Sequence, residues 1–270
     1  MTTSYQQSLQ SHLADYARNS LNVLDKGTYR GKTYPHILPK SRQELNLLET
    51  PRAALQAYLK TRPSIKLHMY FHHLNSSQAF AFNLFYPFFS AGPGPARVLS
   101  GALDVDQNVI FDWEFEHVAD PDEGTNADVM WRTSEGNVFC EVKLSETGFG
   151  TARNDFEHRK KLAKIYRPRL EKMVSPELLR GATFFKNYQL LRNISLLASN
   201  KRDRLVLLLP RANRSLHKPM RIILDGVRPK FRQRIIVAYI EECLSSLEAN
   251  SQLPDELRSY ASKLIEKYVV

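Results

Sequence analysis

A chain of 270 residues, 43% hydrophobic and 24% charged, has the balance of a globular protein and is long enough to bury a sizeable core. Its formal net charge of +10 points to a polyanionic partner, because Lys and Arg gain affinity by releasing counterions from phosphates. The two cysteines, Cys140 and Cys243, exclude a disulfide framework and a cysteine zinc site, and no apolar run approaches the length of a membrane span.

In chain order, residues 1–25 are polar and weakly periodic, which predicts a helix or arm with Leu9, Leu13 and Tyr16 on one side. Residues 27–39 carry Gly27, Gly31, Pro35 and Pro39 and read as loop. A helical pattern follows over 41–59, with Thr50-Pro51 expected to divide it. Asn75 or Ser76 can cap the next helix, whose Ala79, Phe80, Phe82, Leu84 and Phe85 run nearly all round, so it should be buried. Pro87 and the Gly92-Pro93-Gly94-Pro95 run are expected to end it and form a loop.

Alternation returns over 109–118, with Val109, Phe111, Trp113 and Phe115 on one face and Ile110, Asp112, Glu114 and Glu116 on the other. Residues 127–132 alternate in the same way, Gly136-Asn137 signals a turn, and residues 138–145 form a further strand. On that strand Glu141 and Lys143 share a face. A hairpin would bring Asp128 alongside Glu141, in a register that spacing leaves open. Two carboxylates held close repel, which suits a hard cation with oxygen ligands, Mg²⁺ or Mn²⁺, in preference to Zn²⁺. Lys143 can stabilise the extra charge on a scissile phosphate or help orient the attacking water. A Glu-x-Lys pair on a strand is by itself also what an exposed sheet face looks like.

The blocks that surround these residues are distinctive. They are His73-Leu74-Asn75-Ser76-Ser77-Gln78-Ala79-Phe80-Ala81-Phe82-Asn83-Leu84-Phe85, Glu123-Gly124-Thr125-Asn126-Ala127-Asp128, Phe139-Cys140-Glu141-Val142-Lys143-Leu144-Ser145-Glu146 with Phe149-Gly150, and Tyr188-Gln189-Leu190-Leu191-Arg192-Asn193. Together they resemble the PD-(D/E)xK nuclease superfamily, and within it a group of bacterial restriction endonuclease-like proteins. The resemblance spans about residues 70 to 210, and the outer parts carry none. It implies an α/β fold with a restriction endonuclease-like core, αβββαβ, a central mixed sheet flanked by helices, with additional N- and C-terminal helices. It further implies Asp128 and Glu141 as metal ligands and Lys143 as their electrostatic partner. The superfamily often writes Pro before its Asp, where Ala127 stands here.

Glu116 is favoured over Glu114 as a third catalytic and metal-binding carboxylate, the alternative being that both face solvent. After the Glu-x-Lys strand, Gly148-Phe149-Gly150 reads as a turn and a basic helix runs to Arg167-Pro168. Arg153, Arg159, Lys160, Lys161 and Lys164 on it are candidates for binding nucleic acid, or form a solvated face. Further basic clusters hold Lys201, Arg202, Arg204, Arg211, Arg214, Lys218 and Arg221, then Arg228, Lys230, Arg232 and Arg234. Residues 182–198 predict one apolar helix, on which Gln189 and Arg192 either reach the site or satisfy buried polar groups. A short apolar strand over 205–209 follows, and 229–247 and 254–268 read as amphipathic helices that pack on the core or pair with a second subunit.

Other chemistries fit poorly. His68 and His72 stand at i and i+4, yet Met69 occupies the place where a zinc-protease helix needs Glu. No phosphate-cradling Gly-x-x-x-x-Gly-Lys loop and no Gly-x-Ser-x-Gly elbow is written in the chain. With only two cysteines and no framework, a reducing cytoplasm is the expected compartment, and Met1-Thr2-Thr3-Ser4 shows no apolar leader.

The expectation is therefore a single nuclease domain over 1–270: an N-terminal extension at 1–69, the core at 70–210 and a C-terminal helical extension at 211–270. Its activity would be Mg²⁺-dependent endonucleolytic hydrolysis of DNA, with Mn²⁺ as a substitute, in restriction or defence, by a homodimer if both strands are cut. The alternatives are a nuclease-fold protein without catalysis that binds nucleic acid or a protein partner, and a structural α/β protein in which Asp128 and Glu141 lie apart.

Overall fold

The computed structural model describes residues 4–105, 109–121, 123–124 and 126–270; Met1 to Thr3 and Thr125, quoted above, lie outside the described residues. Helix α1 (Tyr5–Asn19) starts from a capping box in which Ser4 Oγ accepts from the Gln7 amide and the Gln7 side chain accepts from the Ser4 amide. It buries Leu9, Leu13 and Ala17, one turn apart. The stretch expected as loop forms a hairpin, β1 (Gly27–Tyr29) and β2 (Lys32–Tyr34), closed by Arg30 and Gly31 at φ 49° and 76°, both in the left-handed region that a tight hairpin turn uses.

A 3₁₀ turn (Lys40–Asn46) and helix α2 (Glu49–Lys60) follow, divided at Leu47-Leu48 and not at Thr50-Pro51. Pro51 sits in the first turn of α2, where a missing N–H costs no helical hydrogen bond. Helix α3 (Ser77–Ser90) is capped by Ser76 and buried from Ala79 to Phe89. It runs through Pro87, against the expected stop. Pro87 leaves the Asn83 carbonyl without its helical donor, and the Tyr260 hydroxyl supplies one at 2.8 Å. The Gly-Pro run, expected as loop, opens helix α4 (Pro93–Ala102) with Pro93 at its first position, where the fixed φ suits a helix start.

Five strands form one mixed sheet in the order β3 (Ile110–Val118), β4 (Asn126–Thr133), β5 (Asn137–Val142), β6 (Arg204–Leu209), β7 (Ile235–Tyr239). The first three form an antiparallel meander, and β6 and β7 run parallel to β5. β3 departs from the alternation expected of it: its register shifts between Ile110 and Asp112, so Phe111 is pushed out and is 65% exposed. Between β5 and β6 the basic segment is α5 (Phe156–Lys161), a π turn (Leu162–Tyr166) and α6 (Arg167–Leu170), which continues past Pro168. The apolar helix expected over 182–198 is two, α7 (Gly181–Lys186) and α8 (Tyr188–Leu196), broken at Asn187. The C-terminal part adds α9 (Arg214–Asp225), α10 (Pro229–Arg232), α11 (Ile240–Ala249) and α12 (Asp255–Tyr268).

The helix expected over 229–247 is corrected: its middle is β7, the sheet's edge strand, so the C-terminal part is not purely helical. β6 is buried on both faces from Leu205 to Leu209, as a strand covered by helices on each side must be. Val138, Cys140, Val142, Val206 and Leu208 pack in one core with Leu9, Phe82, Leu99, Leu244 and Leu264. Phe139, Leu205, Leu207 and Leu209 pack in the other with Tyr166, Phe184, Leu190, Ile194 and Ile223. Glu141 follows the parity of Phe139, which turns it toward α8. Among the described residues no helix is long and apolar enough to cross a membrane.

Candidate active site

The meander's register brings the acidic residues together. Val129 pairs with Cys140, so one step further along the hairpin Asp128 faces Glu141. On the other flank Phe115 pairs with Val129 and His117 with Ala127, so Glu116 stands opposite Asp128. Glu116 has φ 52°, a left-handed conformation that costs a non-glycine residue roughly 1–2 kcal/mol and withdraws it from regular pairing. Its carboxylate accepts from Gln78 Nε2 at 2.7 Å and Asn126 Nδ2 at 3.0 Å. Glu114, the other candidate, pairs with His117 instead.

Lys143 lies just beyond β5, where its amide still donates to the Leu208 carbonyl at 2.8 Å. Its Nζ lies 2.7 Å from Glu141 Oε1 and donates to Gln189 Oε1 at 2.8 Å. The second Glu141 oxygen accepts from Asn193 Nδ2 at 2.7 Å, and the Arg192 guanidinium is 3.8 Å from it. Arg192 also donates to Asn193 Oδ1 at 2.8 Å and to the Asn126 carbonyl at 3.0 Å. Asp128 Oδ2 accepts from the Val142 amide at 2.7 Å. Asp128, Glu141 and Lys143 therefore converge, Gln189 touches Lys143, and Arg192 stands behind Glu141.

Asn193, which is 2% exposed, joins the site without having been expected there, as do Gln78 and Asn126. The signal for Asn193 is its place four residues after Gln189, which sets two amides on one face of α8. Gly150 has φ 68°, and a Cβ there would meet Gln189 Oε1 at 2.9 Å, so only glycine lets this turn close over the amide that holds Lys143.

The electrostatics follow from burial. Asp128 is raised well above the usual carboxylate range by its burial and then by the Glu141 charge, against Lys143 and the Val142 amide, with Glu116 adding to the rise. Burial would lower the Lys143 ammonium, but Glu141, Glu146 and Asp128 together outweigh it and hold its pKa above the ordinary lysine value. Lys143 is thus a protonated cation at neutral pH. Glu141 Oε1 is buried and makes no hydrogen bond of regular geometry, the contact with Lys143 being an ion pair.

A cleft of about 750 Å³ is lined by Glu116, Asp128, Lys143 and Gln189 together with residues 66–70, while Glu141, 1% exposed, does not line it. None of Arg153, Arg159, Lys160, Lys161 or Lys164 lines it. Arg153, Arg159, Lys160 and Lys164 are exposed, while Lys161 Nζ donates to the Glu123 carbonyl at 2.6 Å. Arg214, Lys218, Arg221 and Arg232 line a separate groove of about 590 Å³ along α9 and β7. Among the described residues no three His, Cys, Asp or Glu side chains gather as a ready cation cage.

A family model described as Restriction Endonuclease associating with ARP matches residues 10–269. The chain belongs to this family. The match runs from α1 to α12, so the outer segments, which carried no resemblance of their own, are part of the family's unit. No curated protein and no solved structure matches the chain. Restriction endonuclease-like family membership and a five-stranded mixed sheet with helices on both faces thus rest on separate observations.

Proposed function

We propose that this chain is a PD-(D/E)xK nuclease that hydrolyses DNA phosphodiester bonds in a Mg²⁺-dependent, endonucleolytic reaction. The observation that carries the reading is Asp128 facing Glu141 across β4 and β5, with Lys143 Nζ 2.7 Å from Glu141. Membership of a restriction endonuclease family supports it.

The residues fit a hard cation. Asp128 and Glu141 offer only oxygen, one Glu141 oxygen is buried with only its Lys143 ion pair, and of the two causes that raise Asp128, burial and then the Glu141 charge, the second is what a divalent ion would relieve. Two protein carboxylates, with water and substrate phosphate, make an ordinary Mg²⁺ shell. When bound, the ion supplies charge for the phosphate oxygens and acidity for the attacking water. Asp128 is fixed for this by the Val142 amide, and Glu141 by Asn193 backed by Arg192.

Lys143 acts as a charge. Its neighbours, Glu141 first, hold its pKa above the ordinary lysine value against the cost of burial, and in this reading the ammonium meets the negative charge that builds on the scissile phosphate. Gln189 keeps Nζ at the cleft wall. We read Glu116 as an outer carboxylate that deepens the negative potential, since both of its oxygens already accept amide hydrogen bonds. Cutting both strands of a duplex needs two such sites, hence a homodimer or two encounters.

The test is supercoiled plasmid incubated with the protein in Mg²⁺, in Mn²⁺ and in chelator. Nicked and linear products with either metal and none with chelator are expected. Salt-sensitive DNA binding with no cutting under any metal would instead favour a nuclease fold that binds without catalysis.

A further inference from the structure

Beside the cleft lies a recess of about 310 Å³ that the catalytic reading leaves unused, within the size range of small-molecule pockets. The β1–β2 hairpin with the residues after it, the loop before α3 and one side chain of α1 build it, and its lining is mostly aromatic: Tyr29, Tyr34, His36, Tyr70 and His73, completed by Gln10, Ile37 and Asn75. Tyr29 and Tyr70 meet edge to face at 5.1 Å, and Tyr70 and His73 lie 5.0 Å apart. Two buried polar atoms there have no partner, His73 Nε2 and Asn75 Oδ1.

The recess and the cleft share the walls Tyr70, His73 and Asn75. Asn75 Nδ2 also donates to Ser145 Oγ at 2.8 Å, two residues past Lys143, which ties the recess to the end of the Glu-x-Lys strand. The cleft lining also carries Leu67 and Met69, 42% and 66% exposed, the kind of apolar side chain that wedges between stacked bases. An adjoining hollow shares Tyr29 and Tyr70 and is lined by Lys26, Arg30 and Lys40.

The chemistry of these walls selects the occupant. Burial and the neighbouring imidazoles of His72, His36 and His68 lower His73 to about 4, so at neutral pH it offers a hydrogen bond and no charge. Flat aromatic faces with neutral hydrogen-bonding edges match a nucleobase, while the lysines and arginine outside match the phosphates on either side of it. We propose that this recess takes one unpaired nucleobase from the strand whose phosphate lies in the cleft, so that the preferred substrate has an unpaired or extruded base beside the scissile bond. The inference deepens the nuclease reading and rests on it for the word scissile.

The test uses the full chain in chelator, which separates binding from cutting. A single-stranded oligodeoxynucleotide carrying 5-iodouracil is irradiated with the protein, and the cross-linked peptide is identified by mass spectrometry. Anisotropy gives affinities for the same strand, for its abasic analogue and for a blunt duplex. Cross-links on Tyr29, Tyr34 or Tyr70 are expected, and Tyr70→Leu should weaken single-strand binding about tenfold, as removal of one stacking platform does, with no further loss on the abasic strand. Tyr34→Leu, on the hairpin, gives the same readout if Tyr70→Leu does not fold. Cross-links confined elsewhere, with unchanged affinities for both variants, overturn the inference. The two readings fail separately: plasmid cutting with cross-links elsewhere removes only the recess, and recess cross-links without cutting in any metal remove only the nuclease.

Discussion

Asp128→Asn should stabilise the metal-free protein, and the gain should grow with pH. The carboxyl is buried, faces Glu141 and has its pKa raised in the folded state, so folded protein keeps a proton that unfolded chain releases near pH 4. Below that pH both states are protonated and the substitution is nearly neutral. Above it the folded state binds more protons, so wild-type stability falls by about 1.4 kcal/mol, tenfold in the folding equilibrium, for each pH unit until the folded pKa is passed. The penalty is then constant. Asn carries no such proton, and its side-chain oxygen can still accept from the Val142 amide, so the variant lacks this slope. Urea unfolding followed through the buried Trp131, in chelator from pH 5 to pH 8, measures the difference. Excess Mg²⁺ should reverse the order, since a ligand at a hundredfold its Kd adds about 2.7 kcal/mol to wild type and little to a variant short of one carboxylate. A variant less stable than wild type in chelator at pH 8, or a difference that does not change with pH, would mean that the Asp128 carboxyl is not held protonated by the fold.

Three further outcomes follow from particular contacts. Gly150→Ala should cost roughly 1–2 kcal/mol from the left-handed backbone and slow cleavage about tenfold by pushing Gln189 off Lys143, measured by unfolding and by single-turnover rates. Tyr260→Phe removes the donor to the carbonyl that Pro87 leaves open in α3, and should lower unfolding free energy by about 1–2 kcal/mol without changing DNA affinity. Lys160→Glu with Lys164→Glu should reduce the slope of log affinity against log salt by about one per lost phosphate contact, and an unchanged slope would mark that helix as a solvated face.

The meander was legible because its strands alternate and Gly136-Asn137 separates two of them, which placed Asp128 and Glu141 in one hairpin. Four features were not. Glu116 leaves regular pairing through a left-handed backbone and Phe111 through a bulge, and neither shows in an alternating pattern. β7 is five residues between two helices, so its Ile235, Ile236 and Val237 merged into a helical spacing, and only pairing with β6 makes them a strand. Asn193 sits in a helix where asparagine has many uses; its role appears only when β5 sets Glu141 against it. In each case the deciding partner lies far away in sequence.

A metal-dependent nuclease site at Asp128, Glu141 and Lys143 depends on the charge of its lysine. Single-turnover cleavage of duplex DNA in Mg²⁺ by wild type and Lys143→Met, at protein concentrations that saturate the DNA, tests it most directly. The variant should bind DNA and cut it about a hundred- to a thousandfold more slowly, the usual loss when one preorganised charge-stabilising group is removed. Equal rates for the two proteins would contradict it.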